Sequence, residues 1–382
     1  MSQIIVIGGE HHNAYGVIRA FQKKNLEKNI ILYIVGTKNG YLESSRYLKW
    51  RQLVHVESYD SLLDELIIRR SDYENKPVII CCSDSAIATL DANRSLLEQY
   101  YYLPGIQHGN VGTVSDLMNK TNQIKLATSC GFLSPLTVLY NKSDDNITDI
   151  RESIIYPCIL KPVNSSISGK ADIYICNSYE EVCSDIEKSV SNEFLIQQYI
   201  GKMSEFQIIG CSISGGKEVI IPGYTTIIRQ PYNTNTGFLK YQPIDTYIDA
   251  TLLDRIRKFL LQSGYSGLFS IEFIRDKSGV DYFLEINMRN DGNAICVTDS
   301  GCNLPYFWYA ASLGLDYESE VIGVVKSIYC MPIVDDFIMA LKEKKSLSTW
   351  ISDIKKCSSF LDCSTADIMP FIVKVFLLFK VL

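Results

Sequence analysis

Residues 268–292 read LFSIEFIRDKSGVDYFLEINMRNDG. Two runs rich in β-branched and aromatic residues flank Asp276-Lys277-Ser278-Gly279, the composition of a β-hairpin with a tight turn. Pairing of Asp276 with Gly279 across the turn sets Glu272 opposite Phe283. Opposed residues share a face of the sheet, and so do residues two apart on one strand. Glu272, Glu285 and Asn287 then project together. Two carboxylates and an amide oxygen on a rigid hairpin make a hard oxygen site of the kind Mg²⁺ takes, with water and phosphate oxygens filling its other positions. A slip of one residue would turn Glu272 to the opposite face. A lone acidic residue on a strand is usually only solvated. Here the two glutamates lie among Ile, Phe and Leu on strands that read as buried, and Arg289, Asn290, Asp291 and Gly292 follow at once.

Upstream, the chain alternates strands and helices. IIVIGG (4–9), IILYIV (30–35) and PVIICC (77–82) read as buried parallel strands, with helices over 14–24, 59–70 and 84–98 between and after them. This alternation predicts an N-terminal doubly wound parallel α/β domain over 1–112. Glycines end its first strand, where a ligand can approach the carboxyl edge closely, and His11 and His12 follow them. GGEHHNAYG is not a GxGxxG fingerprint, so dinucleotide binding has little support. From 113 to 325 the pattern changes. MNKTNQIKLATSCGFLSP predicts a helix ending near Gly131. YPCILKPVNSSISGKADIYIC predicts a strand closed by Lys161, a Ser/Gly-rich loop and a second strand. With a helix over 178–190 these form a small α+β lid, about 125–193. FLIQQYI (194–200) leads into strands at 206–213 and 218–228, a helix over 248–263 and, after the hairpin, a closing helix over 303–314. Residues 326–382 form a tail with helices near 335–343 and 349–361.

Glu272, twelve intervening residues, Glu285, one residue, Asn287 and then Arg289 resemble the metal-binding end of the ATP-grasp superfamily. The run Glu285-Ile286-Asn287-Met288-Arg289-Asn290-Asp291-Gly292 is similar to that of its carboxylate–amine ligases, with D-aspartate ligase-like proteins and amino-acid ligases the most similar. Many relatives carry Pro where Met288 stands. The resemblance implies an ATP-grasp fold, with two α+β subdomains gripping ATP behind the N-terminal domain, and Mg²⁺ on Glu272, Glu285 and Asn287. It implies phosphate contacts from Lys120 and Lys161, and from Ser165, Ser166, Ser168 and Gly169 in the loop. Gln197, Gln198, Tyr199 and Ile200 match its adenine-reading hinge, with either glutamine able to accept from the adenine amino group. Glu205 resembles the ribose-contacting acid. Arg229 is open between a phosphate or carboxylate contact and a strand-edge residue. Arg289 would neutralise the oxyanion of a tetrahedral intermediate. The implied activity joins an acid to an amine through an acyl phosphate, in reach of cell-wall or surface-polysaccharide biosynthesis. An ATP-dependent carboxylase and a non-catalytic nucleotide-binding regulator are the alternatives.

The bulk properties agree with a globular enzyme. The 382 residues allow two or three domains, 47% hydrophobic and 21% charged residues are ordinary, and the net charge is −6. No basic stripe or RNA-binding aromatic motif points to nucleic acid. The partners expected are small-molecule acid and amine substrates, and a homodimer is left open. Twelve cysteines form no CxxC pair, which argues against zinc. With an N-terminus that runs directly into a strand, they predict reduced thiols and a cytoplasmic location. The final IMPFIVKVFLLFKVL is too short to span a bilayer. It reads as an element docked on the body or as an interfacial anchor at the inner membrane face.

Overall fold

The computed structural model describes residues 2–9, 11–36, 40–106, 112–163, 173–230, 236–244, 247–321 and 326–381. Residues 4–8, IIVIG, are all buried, as the central strand of a parallel sheet covered on both faces must be. Strands Leu53–Val56, Ile30–Val35, Ile4–Gly8 and Val78–Cys81 lie side by side in that order, all parallel. Helices His12–Gln22, Tyr59–Arg69 and Asp84–Ala92 accompany them. Ser58 and Ser83 start the last two by accepting the backbone N–H of Ser61 and Ala86, which satisfies a donor the helix itself cannot. The doubly wound sheet expected is present with one strand more. Leu53–Val56 is a four-residue edge strand with His55 turned to solvent, too short and too polar to stand out. The strand order reverses between Ile4–Gly8 and Val78–Cys81, the kind of switch point at which open α/β sheets hold ligands.

Two compact units divide the chain: Met1–Gln123, Phe206–Glu272 and Ile286–Leu382 form the larger, and Ile124–Glu205 with Phe273–Glu285 the smaller. In the smaller unit, strands Thr137–Asn141, Glu193–Gln198, Cys158–Pro162 and Tyr174–Cys176 form an antiparallel sheet in that order. Helix Tyr179–Lys188 buries Val182 and Ile186 with Leu160, Phe194 and Ile196. The hairpin tip belongs here too. Phe132 packs with Phe273 and Phe283 at ring separations of 5.8 and 5.5 Å, and Phe283 N–H donates to Leu133 C=O at 2.8 Å.

In the larger unit a second sheet runs through Tyr265–Asp276, Lys202–Ile213, Gly223–Arg229, Phe238–Pro243, Ile328–Met331 and Cys357–Phe360. The single strand expected over 218–228 is two, Glu218–Ile220 and Gly223–Arg229, broken where Pro222 removes a ladder donor. Residues 326–382 are built into this unit. The helix expected near 349–361 stops at Lys356, and Cys357–Phe360 pairs in parallel with Ile328–Met331. Asp367 accepts from Ser45 Oγ at 2.5 Å and from Arg46 N–H at 2.9 Å, and Arg19 donates to Phe360 C=O at 2.6 Å. Helix Met369–Val381 packs Val373 and Leu377 on the core, while Lys374 reaches Asp335 and Asp362 at 2.9 and 3.1 Å. The hydrophobic end is thus docked on the body. Among the described residues no helix is long and apolar enough to cross a membrane.

Candidate functional site

The hairpin 265–287 forms, with a turn one residue longer than expected. Asp276 C=O accepts from Gly279 N–H at 3.1 Å, and Asp276 N–H donates to Val280 C=O at 3.0 Å. Gly279 takes the positive φ of 86° that this turn requires. Arg275 pairs with Asp281 at 2.6 Å. The expected pairing of Asp276 with Gly279 is therefore corrected to Val280. Burial does not alternate along the second strand, where Phe283 and Ile286 are both buried although three residues apart. Asn287 Nδ2 donates to Glu272 Oε1 at 3.1 Å, so the two groups do meet. Glu285 lies two residues before Asn287 on the same strand and is half-buried like it.

Arg289 continues the chain of contacts. Its Nη2 donates to Asn287 Oδ1 at 3.3 Å, and its Nε to Asp84 Oδ1 at 2.9 Å. Asp84 begins the helix after strand Val78–Cys81, so a residue of the N-terminal domain holds the arginine beside Asn287. Asp291 is buried and fixed on both oxygens, accepting from Gln207 and Ser270 at 2.9 Å each and from Asn293 N–H at 2.8 Å. Asn290 N–H donates to Cys81 C=O at 3.0 Å, its C=O accepts from Asn13 Nδ2 at 2.7 Å, and its Nδ2 donates to Asn13 Oδ1. The loop 289–293 is thereby stitched to the carboxyl end of strand Val78–Cys81 and to the helix that follows Ile4–Gly8.

Two residues in this framework escaped the sequence reading. Asp84 carried no signal beyond its place after a parallel strand. Gln123 clasps strand Asp281–Asn287: its Nε2 donates to Ile286 C=O at 2.9 Å, and its Oε1 accepts from Ile286 N–H at 3.0 Å. It completes the pairing of the one residue between Glu285 and Asn287. Only its place on the helix begun by Lys120, a lysine expected to contact phosphate, could have flagged it.

In the smaller unit, Lys161 Nζ donates to Gln197 Oε1 at 2.9 Å, and Gln197 Nε2 donates to Thr137 Oγ1 at 2.9 Å. Both ends of the buried Gln197 amide are engaged, so it orients the lysine. Gln198 is half-buried and accepts from Leu136 N–H at 3.4 Å. Tyr199 N–H donates to Pro157 C=O at 2.9 Å, Ile200 is buried, and Glu205 pairs with Lys202 at 3.0 Å. In the larger unit Lys120 is the first residue of helix Lys120–Ser129. Ser165, Ser166, Ser168 and Gly169 lie outside the described residues.

Arg229 requires correction as a phosphate or carboxylate contact. Its Nε and Nη2 grip Asp336 at 2.9 and 2.7 Å, and its Nη1 meets Asp353 at 3.0 Å. Asp336 also takes Trp350 Nε1 at 3.0 Å. The guanidinium is a buried pin for the C-terminal helices.

No family model matches the chain. Solved structures do. The ADP complex of purK, an N5-carboxyaminoimidazole ribonucleotide synthetase, superposes with a TM-score of 0.67 at 15% identity, over 90% of this chain and 84% of that one. The L-amino acid ligase from Bacillus licheniformis gives 0.63 at 14% identity, over 86% and 78%. Biotin carboxylase from Campylobacter jejuni, in a β,γ-ATP complex, gives 0.64 at 15% identity, over 86% and 74%. The fold of this chain is the ATP-grasp fold that the hairpin's motif led us to expect.

Proposed function

We propose that this protein is an ATP-dependent carboxylate–amine ligase. The carrying observation is the contact chain Glu272–Asn287–Arg289–Asp84 on an ATP-grasp fold. Hard oxygen donors from Glu272, Glu285 and Asn287, with no thiol or imidazole among them, suit Mg²⁺. Bound there, Mg²⁺ would supply charge neutralisation on the triphosphate. Lys120 and Lys161 would hold phosphate oxygens, Lys161 aimed by Gln197. Gln198, Tyr199 and Ile200 would line the adenine, and Glu205 would take the ribose. The acid's carboxylate would attack the γ-phosphate to give an acyl phosphate and ADP. An amine would then displace phosphate through a tetrahedral intermediate whose oxyanion Arg289 neutralises. Asp84 would keep that guanidinium in place. An acyl phosphate hydrolyses readily, so the reacting atoms must be shielded from water.

Carboxylation is the second reading, favoured by the likeness to a carboxyaminoimidazole ribonucleotide synthetase and a biotin carboxylase. One experiment separates the two. Phosphate release from Mg-ATP is measured against amino acids and uronic acids, each with and without an amine, and against bicarbonate. Release that needs both acid and amine, with the matching amide in the mass spectrum, supports the ligase. Release driven by bicarbonate without an amine supports the carboxylase. A cell-wall or surface-polysaccharide acceptor is the further expectation that the same panel addresses.

A further inference from the structure

Helix Met369–Val381 is docked on the body by one face. Val373 and Leu377 pack on the core, and Lys374 turns inward to Asp335 and Asp362. At about 100° per residue, the opposite face carries Ile368, Ile372, Val375 and Phe376, spaced i, i+4, i+7 and i+8. Ile372 N–H donates to Ile368 C=O at 3.1 Å, so Ile368 belongs to the first turn. None of the four is buried, and Phe376 is 65% exposed. The helix sequence MPFIVKVFLLFKV holds no acidic residue. An exposed apolar stripe of this kind marks an interaction site.

The segment that runs alongside this helix supplies charge. The turn Leu42–Ser44 packs on the helix, and Ser45 Oγ and Arg46 N–H both reach Asp367. Arg46 Nη1 donates to Ala366 C=O at 3.2 Å. Residues 45–52, SRYLKWRQ, hold Arg46, Lys49 and Arg51 and no acid, in a chain whose net charge is −6. All three cations are exposed. Trp50 is 76% exposed, with the Arg51 guanidinium 5.0 Å from its ring centre. Trp50 and Phe376 are the two most exposed aromatic side chains among the described residues. The nearby acids are already engaged: Asp362 and Asp367 are buried, Asp335 pairs with Lys374, and Glu43 lies 3.4 Å from His55.

We propose that the outer face of helix Met369–Val381, rimmed by Arg46, Lys49, Trp50 and Arg51, docks on the surface of an anionic lipid bilayer. The apolar stripe enters the boundary between headgroups and acyl chains, the indole sits at headgroup level, and the cations meet lipid phosphates. The helix has 13 residues and is about 20 Å long, too short to cross a bilayer and suited to lying in its interface. A second copy of the chain suits this face less well, because two-fold pairing brings one cationic rim toward another. The inference stands apart from the ligase reading and does not depend on it.

Co-sedimentation of the full chain with vesicles tests it, using phosphatidylcholine alone and two parts phosphatidylcholine to one of phosphatidylglycerol. The anionic vesicles should carry the protein down, less so as salt is added, and the neutral ones should not. Of the three tryptophans, Trp308 is buried and Trp350 half-buried. Trp50 should therefore report docking by a blue shift and by quenching from brominated acyl chains, both lost in Trp50→Phe. Lys49→Gln/Arg51→Gln should weaken partitioning roughly thirtyfold. Ile372→Ser/Phe376→Ser should weaken it about tenfold or more. An unchanged urea midpoint in each pair certifies the fold. Anionic vesicles that leave the protein in solution overturn the proposal, as does binding undiminished in both pairs. So does a concentration-dependent dimer in analytical ultracentrifugation that Ile372→Ser/Phe376→Ser makes monomeric, since the face would then belong to a second copy.

Discussion

Arg229→Met separates a structural guanidinium from a catalytic one. The arginine makes three charge-assisted hydrogen bonds, two to Asp336 and one to Asp353. Methionine keeps most of the stem's packing and removes all three. Asp353 retains Lys345 and Lys356 at 3.1 Å each, but Asp336, fully buried, keeps among the described side chains only Trp350 Nε1. Leaving one buried carboxylate without its cation costs about 3–5 kcal/mol. Removing that charge as well, in Arg229→Met/Asp336→Leu, should recover at least half of the loss, because most of it is the stranded charge rather than the pair. Urea unfolding followed by tryptophan fluorescence reads both values, and Trp350 sits in the network. A single variant that loses less than about 1 kcal/mol refutes the reasoning, and so does a double variant no more stable than the single. A normal unfolding curve with a raised KM for ATP would restore Arg229 to the phosphate side.

Further outcomes follow from the same contacts. Gln123→Met strands the N–H and C=O of Ile286, so it should destabilise by about 1–3 kcal/mol and raise the Mg²⁺ concentration needed for half-maximal turnover; an unchanged Mg²⁺ dependence would remove its positioning role. Asp84→Asn weakens the hold on Arg289 and should lower kcat more than it raises the KM for ATP, which steady-state kinetics would reveal. Acid should destabilise the fold in two windows. His11, at about 4 in the fold against 6.5 for the ordinary ring, leaves the unfolded chain binding more protons between those values, so stability falls as pH drops from 6.5 toward 4. Asp353 is pulled to about 2, against the opposing effect of its burial, by hydrogen bonds from Arg229, Lys345 and Lys356; its contribution is present above about pH 4 and lost toward pH 2. Urea midpoints across pH 7 to 4.5 should slope less in His11→Asn than in the unmodified protein, and equal slopes would contradict the first window.

The hairpin was legible because period-2 patterning and turn residues are local signals. Its register was not. Asp276 N–H reaches Val280 rather than Gly279 C=O, a residue added at the turn that no short-range pattern announces. Glu272 meets Asn287 as the sequence implied, by a different pairing. The parallel strands were legible where they are buried on both faces and missed at Leu53–Val56, where one edge is wet. Arg229 looked like a site residue because its loop is rich in polar side chains, while the carboxylates that claim it stand more than a hundred residues away. Gln123 and Asp84 were invisible for the same reason: each acts through one contact that only the folded chain makes. The hydrophobic terminus offered two readings, and the ion pairs of Lys374 with Asp335 and Asp362 favour docking on the body.

The claim on which the account turns is that a carboxylate is activated by phosphoryl transfer at a metal site built on the hairpin. Substrate acid labelled with ¹⁸O in its carboxylate tests it directly. The account predicts one labelled oxygen carried into the inorganic phosphate per turnover, ADP as the only nucleotide product, and loss of both in Glu285→Ala with the unfolding curve unchanged. Unlabelled phosphate, AMP with pyrophosphate, or undiminished turnover in Glu285→Ala would contradict it.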